Sequence, residues 1–306
     1  PEKIEAAVSE DQVLVIGAGP AGLEATMQLA NRGYQVTLAE ATDTLGGRVS
    51  RECELPGMAS YVRVRDYREN QIRQKSNVEI YLGNHLSAND IIELQIPHVL
   101  IATGSHWRRD GVGRQHAFPV EGLENGSALT PDDVLAGAEI NGRVLIYDDD
   151  HYFMGSTIAE RCRDQGHEVC LVTPESIVSS WTHYTLEQEK IQARLLSLGV
   201  EIVVSHELLE VEAGRATIAN IYSEEHRQQV DFDTLVLVTS RQSDDVLYQA
   251  LLEHEDRFKT LRAIGDCNAP GTVAAAVYDG HSAARYLESS EDIYAPLFVR
   301  EIPALD

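Results

Sequence analysis

Gln12-Val13-Leu14-Val15-Ile16-Gly17-Ala18-Gly19-Pro20-Ala21-Gly22 is the stretch whose reading decides the fold. An unbroken apolar run that stops at glycine has the pattern of a strand buried on both faces in a parallel sheet. A helix follows from about Pro20 to Asn31, closed by Gly33, and a second strand runs from Gln35 to Glu40. Together these make a β-α-β unit around a G-x-G-x-x-G motif. The first glycine turns the chain out of the strand, the second lets backbone approach a pyrophosphate, and the third lets helix and strand pack closely. The phosphate rests on free N–H groups at the helix N-terminus. An acid at the end of the second strand accepts hydrogen bonds from a ribose 2′-OH and disfavours a 2′-phosphate. The residues expected to hold a nucleotide are therefore Gly17, Gly19, Pro20, Ala21, Gly22, Glu40 and Ala41.

Other segments point at the same sheet edge. Leu45-Gly46-Gly47-Arg48 follows the ribose acid, with two glycines open to a bound nucleotide and Arg48 in reach of its phosphates; an ordinary turn is the competing reading. Thr103 and Gly104 follow a buried strand at His98–Thr103, and Gly265 and Asp266 follow a late one. Ligands bind at the C-terminal ends of strands in open α/β sheets, so these four residues join the expected site.

A second β-α-β unit begins at Arg143–Tyr147, with a helix at about Gly155–Gln165 and a strand at Glu168–Thr173. Here Asp148-Asp149-Asp150 stand where glycines belong. Like charges about 4 Å apart near a surface repel by about 4 kcal/mol, whereas a helix dipole offers an anion only about 0.3–1 kcal/mol. A pyrophosphate is therefore excluded. The preferred reading is that the acids cap their own helix in an empty site; a divalent-cation site and a docking patch are the alternatives.

Upstream, Thr130-Pro131-Asp132-Asp133 marks a helix start. Downstream come a helix near Leu186–Leu198 and a meander of strands near Val200–Ser205, Leu208–Val211, Ala216–Tyr222 and Gln229–Phe232. The expected fold is α/β, with two Rossmann-like nucleotide-binding domains of the FAD/NAD(P)-linked reductase type, the second inserted in the first. The expected boundaries are 1–139 with 241–306 for the intact nucleotide domain and 140–240 for the degenerate one.

Composition narrows the function classes. With 25 Lys plus Arg against 49 Asp plus Glu, the net charge of −24 repels nucleic acid and anionic membranes. There is no apolar run of transmembrane length and no signal-peptide pattern, which points to the cytoplasm. The cysteines, Cys53, Cys162, Cys170 and Cys267, lack metal or dithiol spacing, so reduced structural thiols are expected. No metal site and no catalytic residue is assigned. Arg63, Arg65, Arg68 and Arg73 read as a solvated helix face with an Arg65–Glu69 pair, and Trp107 and Trp181 read as packing residues.

Pro1-Glu2-Lys3, the first fingerprint with Leu23-Glu24-Ala25, Leu45-Gly46-Gly47-Arg48, Asp66-Tyr67-Arg68-Glu69, Ile101-Ala102-Thr103-Gly104, Tyr152-Phe153-Met154 and Ile264-Gly265-Asp266 resemble the C-terminal half of the trimethylamine, dimethylamine and histamine dehydrogenase family. The resemblance spans almost the whole chain. It implies an iron–sulfur flavoprotein in which an N-terminal TIM barrel carries FMN and a 4Fe-4S cluster. It further implies oxidative N-demethylation or deamination of a small amine, electrons passing to an electron-transferring flavoprotein, and a homo-oligomer. ADP or FAD would occupy the first domain. The barrel and the cluster cysteines are missing, so this chain is expected to be a portion of such an enzyme. Two alternatives stand: an FAD-dependent NAD(P)H oxidoreductase, and a non-catalytic module with a structural nucleotide.

Overall fold

The computed structural model describes residues 5–123, 126 and 128–289. Pro1-Glu2-Lys3 of the family resemblance lies outside them. In chain order the first elements are β1 (Gln12–Ile16), α1 (Pro20–Arg32), β2 (Gln35–Ala39), α2 (Val49–Glu52), α3 (Val62–Arg73), β3 (Val78–Tyr81), α4 (Ala88–Leu94), β4 (His98–Ile101) and β5 (Ser105–Trp107). Then come α5 (Pro131–Leu135), β6 (Arg143–Asp148), α6 (Met154–Asp164), β7 (Glu168–Val172), α7 (Gln188–Ser197), β8 (Glu201–Val203), β9 (His206–Glu212), β10 (Arg215–Asn220) and β11 (Ser223–Asp231). The last are β12 (Thr234–Val238), β13 (Arg241–Ser243), α8 (Val246–Leu252), β14 (Thr260–Ala263) and α9 (Val273–Arg285).

Two compact units result. The first comprises, among the described residues, 5–47, 64–104 and 245–289. Its parallel sheet has the order β14-β4-β1-β2-β3. The pleat explains why β1 is apolar throughout: Val13 and Val15 pack towards the layer of α1 and α9, while Leu14 and Ile16 pack with Ile91, Val99, Ile101 and Leu251 on the other face. Helix α1 is locked to its neighbours by the buried carboxylate of Glu24. It accepts from Arg68 Nε of α3 at 2.6 Å and from Gln28 Nε2 at 2.8 Å, and it lies 3.1 Å from His281 Nδ1 of α9. The Asp66-Tyr67-Arg68-Glu69 segment thus serves helix packing through Arg68. Arg65 pairs with Asp66 and Arg73 with Glu69, in place of the expected Arg65–Glu69 pair.

The second unit comprises, among the described residues, 48–63, 105–123, 126 and 128–244. Its parallel sheet runs β12-β6-β7-β8. Val144, Ile146, Val169 and Leu171 face the helices α6 and α7; Leu145, Tyr147, Cys170 and Val172 face an antiparallel sheet of order β11-β10-β9. β8 completes the parallel sheet and does not belong to the meander, a correction set by its pairing with β7.

The division differs from the expected boundaries because residues 48–63, 241–244 and the described residues of 105–139 join the second unit. β5 pairs antiparallel with β13, Leu129 bonds to Leu235 and Leu237 of β12, and Leu55 and Met58 pack in the same core as Ile158. The start of α5 matches its sequence pattern: Asp133 accepts from the Thr130 N–H at 2.7 Å and its hydroxyl at 2.8 Å. All four cysteines are free, with burial pushing Cys170 up to about 12 and Cys162 to about 11. No helix among the described residues is long and apolar enough to cross a membrane.

Removing the Glu24 carboxylate strands a mostly buried guanidinium. Glu24→Ala should therefore cost about 3–5 kcal/mol in urea unfolding. A cost below about 1 kcal/mol would show that Arg68 finds other partners.

Candidate nucleotide site and its sealed counterpart

Two of the three glycines of the first turn are sterically required and the third is not. At Gly17, φ is +95°, and a Cβ there would collide with the Ala102 carbonyl; at Gly22 it would collide with the Gly17 carbonyl. These two positions are dictated by the fold itself. Gly19 is different. Its φ of −71° and ψ of −178° suit any residue, and an added Cβ meets nothing within 4 Å. The space above Gly19 lies at the start of α1, where Pro20 occupies the first turn and no acid stands. The first N–H groups of a helix have no intrahelical acceptor, so this is an uncontested anion position.

Around it, Gly46 donates its N–H to the Ala18 carbonyl at 2.8 Å, and Gly47 packs so closely that its Cβ would sit 3.0 Å from Gly19 Cα. Glu40 is buried at the end of β2. One carboxylate oxygen accepts from the Ala18 N–H at 2.7 Å, and the other accepts from the Thr42 N–H and hydroxyl, both at 2.8 Å. These bonds aim the carboxylate at the turn. Ala41 is exposed beside it. Thr103 and Gly104 follow β4 next to Gly17. Gly265, with φ of +62°, packs against Ala21, and Asp266 accepts from the Gly271 N–H at 3.0 Å. The expected nucleotide residues other than Arg48 thus gather at one edge of the first sheet.

Arg48 is turned to another task. Its guanidinium lies 2.5 Å from Asp132 and 3.7 Å from Glu52, and it donates to the Ser105 carbonyl at 2.6 Å. The sequence motif alone carried no sign of Asp132 as its partner.

The second turn is filled. Asp148 and Asp149 are fully buried. One oxygen of Asp148 accepts the N–H groups of Asp150 and His151 at 3.2 and 3.1 Å; the other has no partner among the described residues. It packs against Gly155, where a Cβ would strike it. The acids do not cap α6, contrary to expectation: its N-cap is Phe153, and Asp148 instead closes the loop ahead of it. Asp149 lies 3.2 Å from Nε2 of the buried His151 and accepts the Gln115 N–H at 2.9 Å, while Gly113 packs on the same carboxylate. Residues 113–115 therefore cover the turn, a feature that no motif in the sequence announced. His151 itself adopts φ of +65°.

Burial pushes the Asp148 carboxyl up to about 7. Asp150 is also raised, mainly by burial, despite the opposing fields of Arg241 and Arg114. Burial opposes the charge on His151, but the Asp149 and Asp148 carboxylates hold its value above normal.

The carboxylates of Asp148, Asp149 and Asp150 do not converge as a cation site. Among the described residues the convergent group is Asp11, His98 and Glu288, around the N-terminal ends of β1 and β4. There Lys259 sits 2.6 Å from Asp11, and Tyr34 and Ser9 both donate to Glu288 at 2.7 Å. The local charges are already matched. Trp107 is buried under Arg241, and the half-exposed Trp181 carries Arg114 4.4 Å above its ring.

Comparison with known proteins adds relatives. Residues 12–94 match the FAD dependent oxidoreductase family, and residues 129–232 match the OYE-like second alpha/beta domain. The dimethylamine dehydrogenase of Hyphomicrobium sp. (strain x) is 31% identical over 98% of this chain and 45% of its own length. The structure of histamine dehydrogenase from Rhizobium sp. 4-9 superposes with a TM-score of 0.93 at 45% identity, covering 100% of this chain and 48% of that one. That of 6-hydroxypseudooxynicotine amine oxidase from Pseudomonas geniculata N1 gives 0.91 at 39%, covering 94% and 44%. The chain spans about half the length of these relatives.

A raised carboxyl gives a definite pH signature. The folded chain keeps the Asp148 proton from the unfolded value of 3.8 up to about 7, so this stabilisation is complete below about pH 4 and lost as pH rises to about 7. The span is on the order of 4 kcal/mol. Asp148→Asn should reduce the pH 4–7 slope of urea unfolding, leaving the contributions of the raised Asp150 and His151. Equal slopes in both proteins would refute the assignment.

Proposed function

The chain is homologous to the dimethylamine and histamine dehydrogenases and fits the C-terminal half of that family, and on this footing we propose that its first unit holds the adenosine diphosphate group of ADP or FAD. The chain belongs among flavin-linked, amine dehydrogenase-type oxidoreductases. The observation that carries the binding proposal is the open space above Gly19, set between an acid-free helix start and the buried carboxylate of Glu40. Phosphate would lie over Gly19, Ala21 and Gly22, with Gly46 and Gly47 alongside. Ribose would lie against Glu40 and Ala41, and the rest of the ligand would extend along Thr103, Gly104, Gly265 and Asp266.

In this reading the second unit takes no NAD(P)H, because Asp148 and Asp149 occupy the pyrophosphate position and residues 113–115 cover it. Amine oxidation, by N-demethylation or deamination, then takes place in an FMN-bearing barrel with a 4Fe-4S cluster. That barrel forms the N-terminal half of the same enzyme. Electrons leave singly to an electron-transferring flavoprotein, and the enzyme is a cytoplasmic homo-oligomer. No residue of this chain is assigned a catalytic role.

Heat release of ligand from the purified enzyme separates the two nucleotides: flavin beyond the FMN content means FAD, and adenine absorbance alone means ADP. Gly19→Ala tests the pocket. The structure accommodates the methyl group, so stability should stay within about 0.5 kcal/mol, while ADP affinity falls about tenfold or more, 1.4 kcal/mol. Unchanged affinity would defeat the assignment. NADH should show no saturable binding; tight uptake with flavin bleaching would instead establish an NAD(P)H oxidoreductase.

A further inference from the structure

We infer that Asp279 of α9 is a positioning residue, whose carboxylate holds the Gly265–Asp266 turn against the nucleotide site and so sets how firmly the ligand is gripped beyond its adenosine end. The inference rests on the functional reading above and concerns residues of the first unit alone.

The turn needs an outside partner because of where the sheet ends. The Ile264 N–H is the last to bond across it, to the Ile101 carbonyl of β4 at 2.8 Å. Gly265 is buried, and its N–H leaves the sheet with no strand beside it, so an acceptor has to come from elsewhere. Asp279 supplies one. One of its carboxylate oxygens accepts the Gly265 N–H at 2.7 Å, and Arg262 of β14 donates to the other at 2.9 Å. The arginine balances the carboxylate, so the aspartate can hold the turn without driving an anion off.

Two glycines bring this arrangement onto the nucleotide helix. Gly280 directly follows Asp279, and a Cβ there would strike the Ala21 carbonyl. A Cβ on Gly265, whose φ is +62°, would come within 2.5 Å of Ala21 Cβ. Ala21 lies in the first turn of α1, beside the open position above Gly19. The sheet order β14-β4-β1-β2-β3 then gives a ligand its direction. Glu40 follows β2 on one side of the glycine turn; Gly104 and Gly265 follow β4 and β14 on the other. A nucleotide whose ribose faces Glu40 therefore runs from β2 across β1 towards β14. Its far end alone reaches the turn that Asp279 holds.

The test titrates AMP, ADP and FAD into nucleotide-stripped, full-length enzyme as wild type, Asp279→Ala, Asp279→Ser and Asp279→Asn, with circular dichroism as the folding control. Positioning predicts a loss that grows with ligand length. Alanine leaves AMP within about twofold and weakens the longest ligand that wild type retains, ADP or FAD, about tenfold. Asparagine keeps an acceptor for the Gly265 N–H and restores that ligand to within about threefold. Serine, too short to reach the N–H, behaves as alanine and decides where alanine fails to fold. A purely structural role lowers all ligands by the same factor, and a mere like charge near the phosphates makes alanine bind the longer ligand more tightly. Either pattern, unchanged affinity in every variant, or an asparagine as weak as alanine overturns the inference. Wild-type enzyme that takes up none of the three overturns the functional reading itself.

Discussion

A parallel strand that turns directly into a helix leaves a short gap in which backbone N–H groups point at whatever comes next, and that gap has room for one anionic group. The two units of this chain answer that constraint in opposite ways. After β1, Gly17 and Gly19 leave the gap free of side chains, and the nearest acid, Glu40, has its oxygens bonded to Ala18 and Thr42. After β6 the strand ends in Asp148, whose carboxylate folds back onto the N–H groups of Asp150 and His151. On the proposed reading, the protein's own carboxylate there takes the donors and the volume that a phosphate would need.

Filling a gap from within carries a desolvation cost, and the local chemistry shows how it is met. Asp148 keeps one oxygen without a partner among the described residues, and its carboxyl is correspondingly held near neutrality. Asp149 finds His151 and the Gln115 N–H. Protonation, ion pairing and backbone donation each remove part of the buried charge, which is how acids become tolerable in a buried site. The same accounting explains Gly113 and Gly155. Each leaves out a side chain where a carboxylate needs the space.

What the sequence made legible follows from how many constraints each residue carries. β1, β4 and β6 are buried on both faces, so their apolar runs could be read directly. The first turn was legible because Gly17 and Gly22 are sterically compelled. Residues 105–139 were misplaced because their ties to the second unit are single bonds and short strands: the β5–β13 pair and the bridge at Leu129. β8 has only three residues, too few to show whether its alternation belongs to a meander or to a parallel edge. The partner of Arg48 was invisible for a different reason. Long-range charge pairing leaves no periodic trace, and Asp132 looked fully explained by its place at the start of α5.

That last case bears on how charged residues near nucleotide turns should be weighed. Arg48 sits beside two glycines, in a place that suggests phosphate, yet its fork is spent on Asp132 and the Ser105 carbonyl. Glu40 sits at an equally suggestive place, and its bonds to Ala18 and Thr42 hold it beside the first turn. The difference lies in what the bonds leave over. A carboxylate can accept several N–H and O–H groups and still present a lone pair to a ribose hydroxyl, because every donor it meets favours its charge. A guanidinium between two carboxylates has its charge matched before any phosphate arrives. Proximity to a glycine-rich turn therefore does not separate Glu40 from Arg48; residual charge and free bonding capacity at each group do.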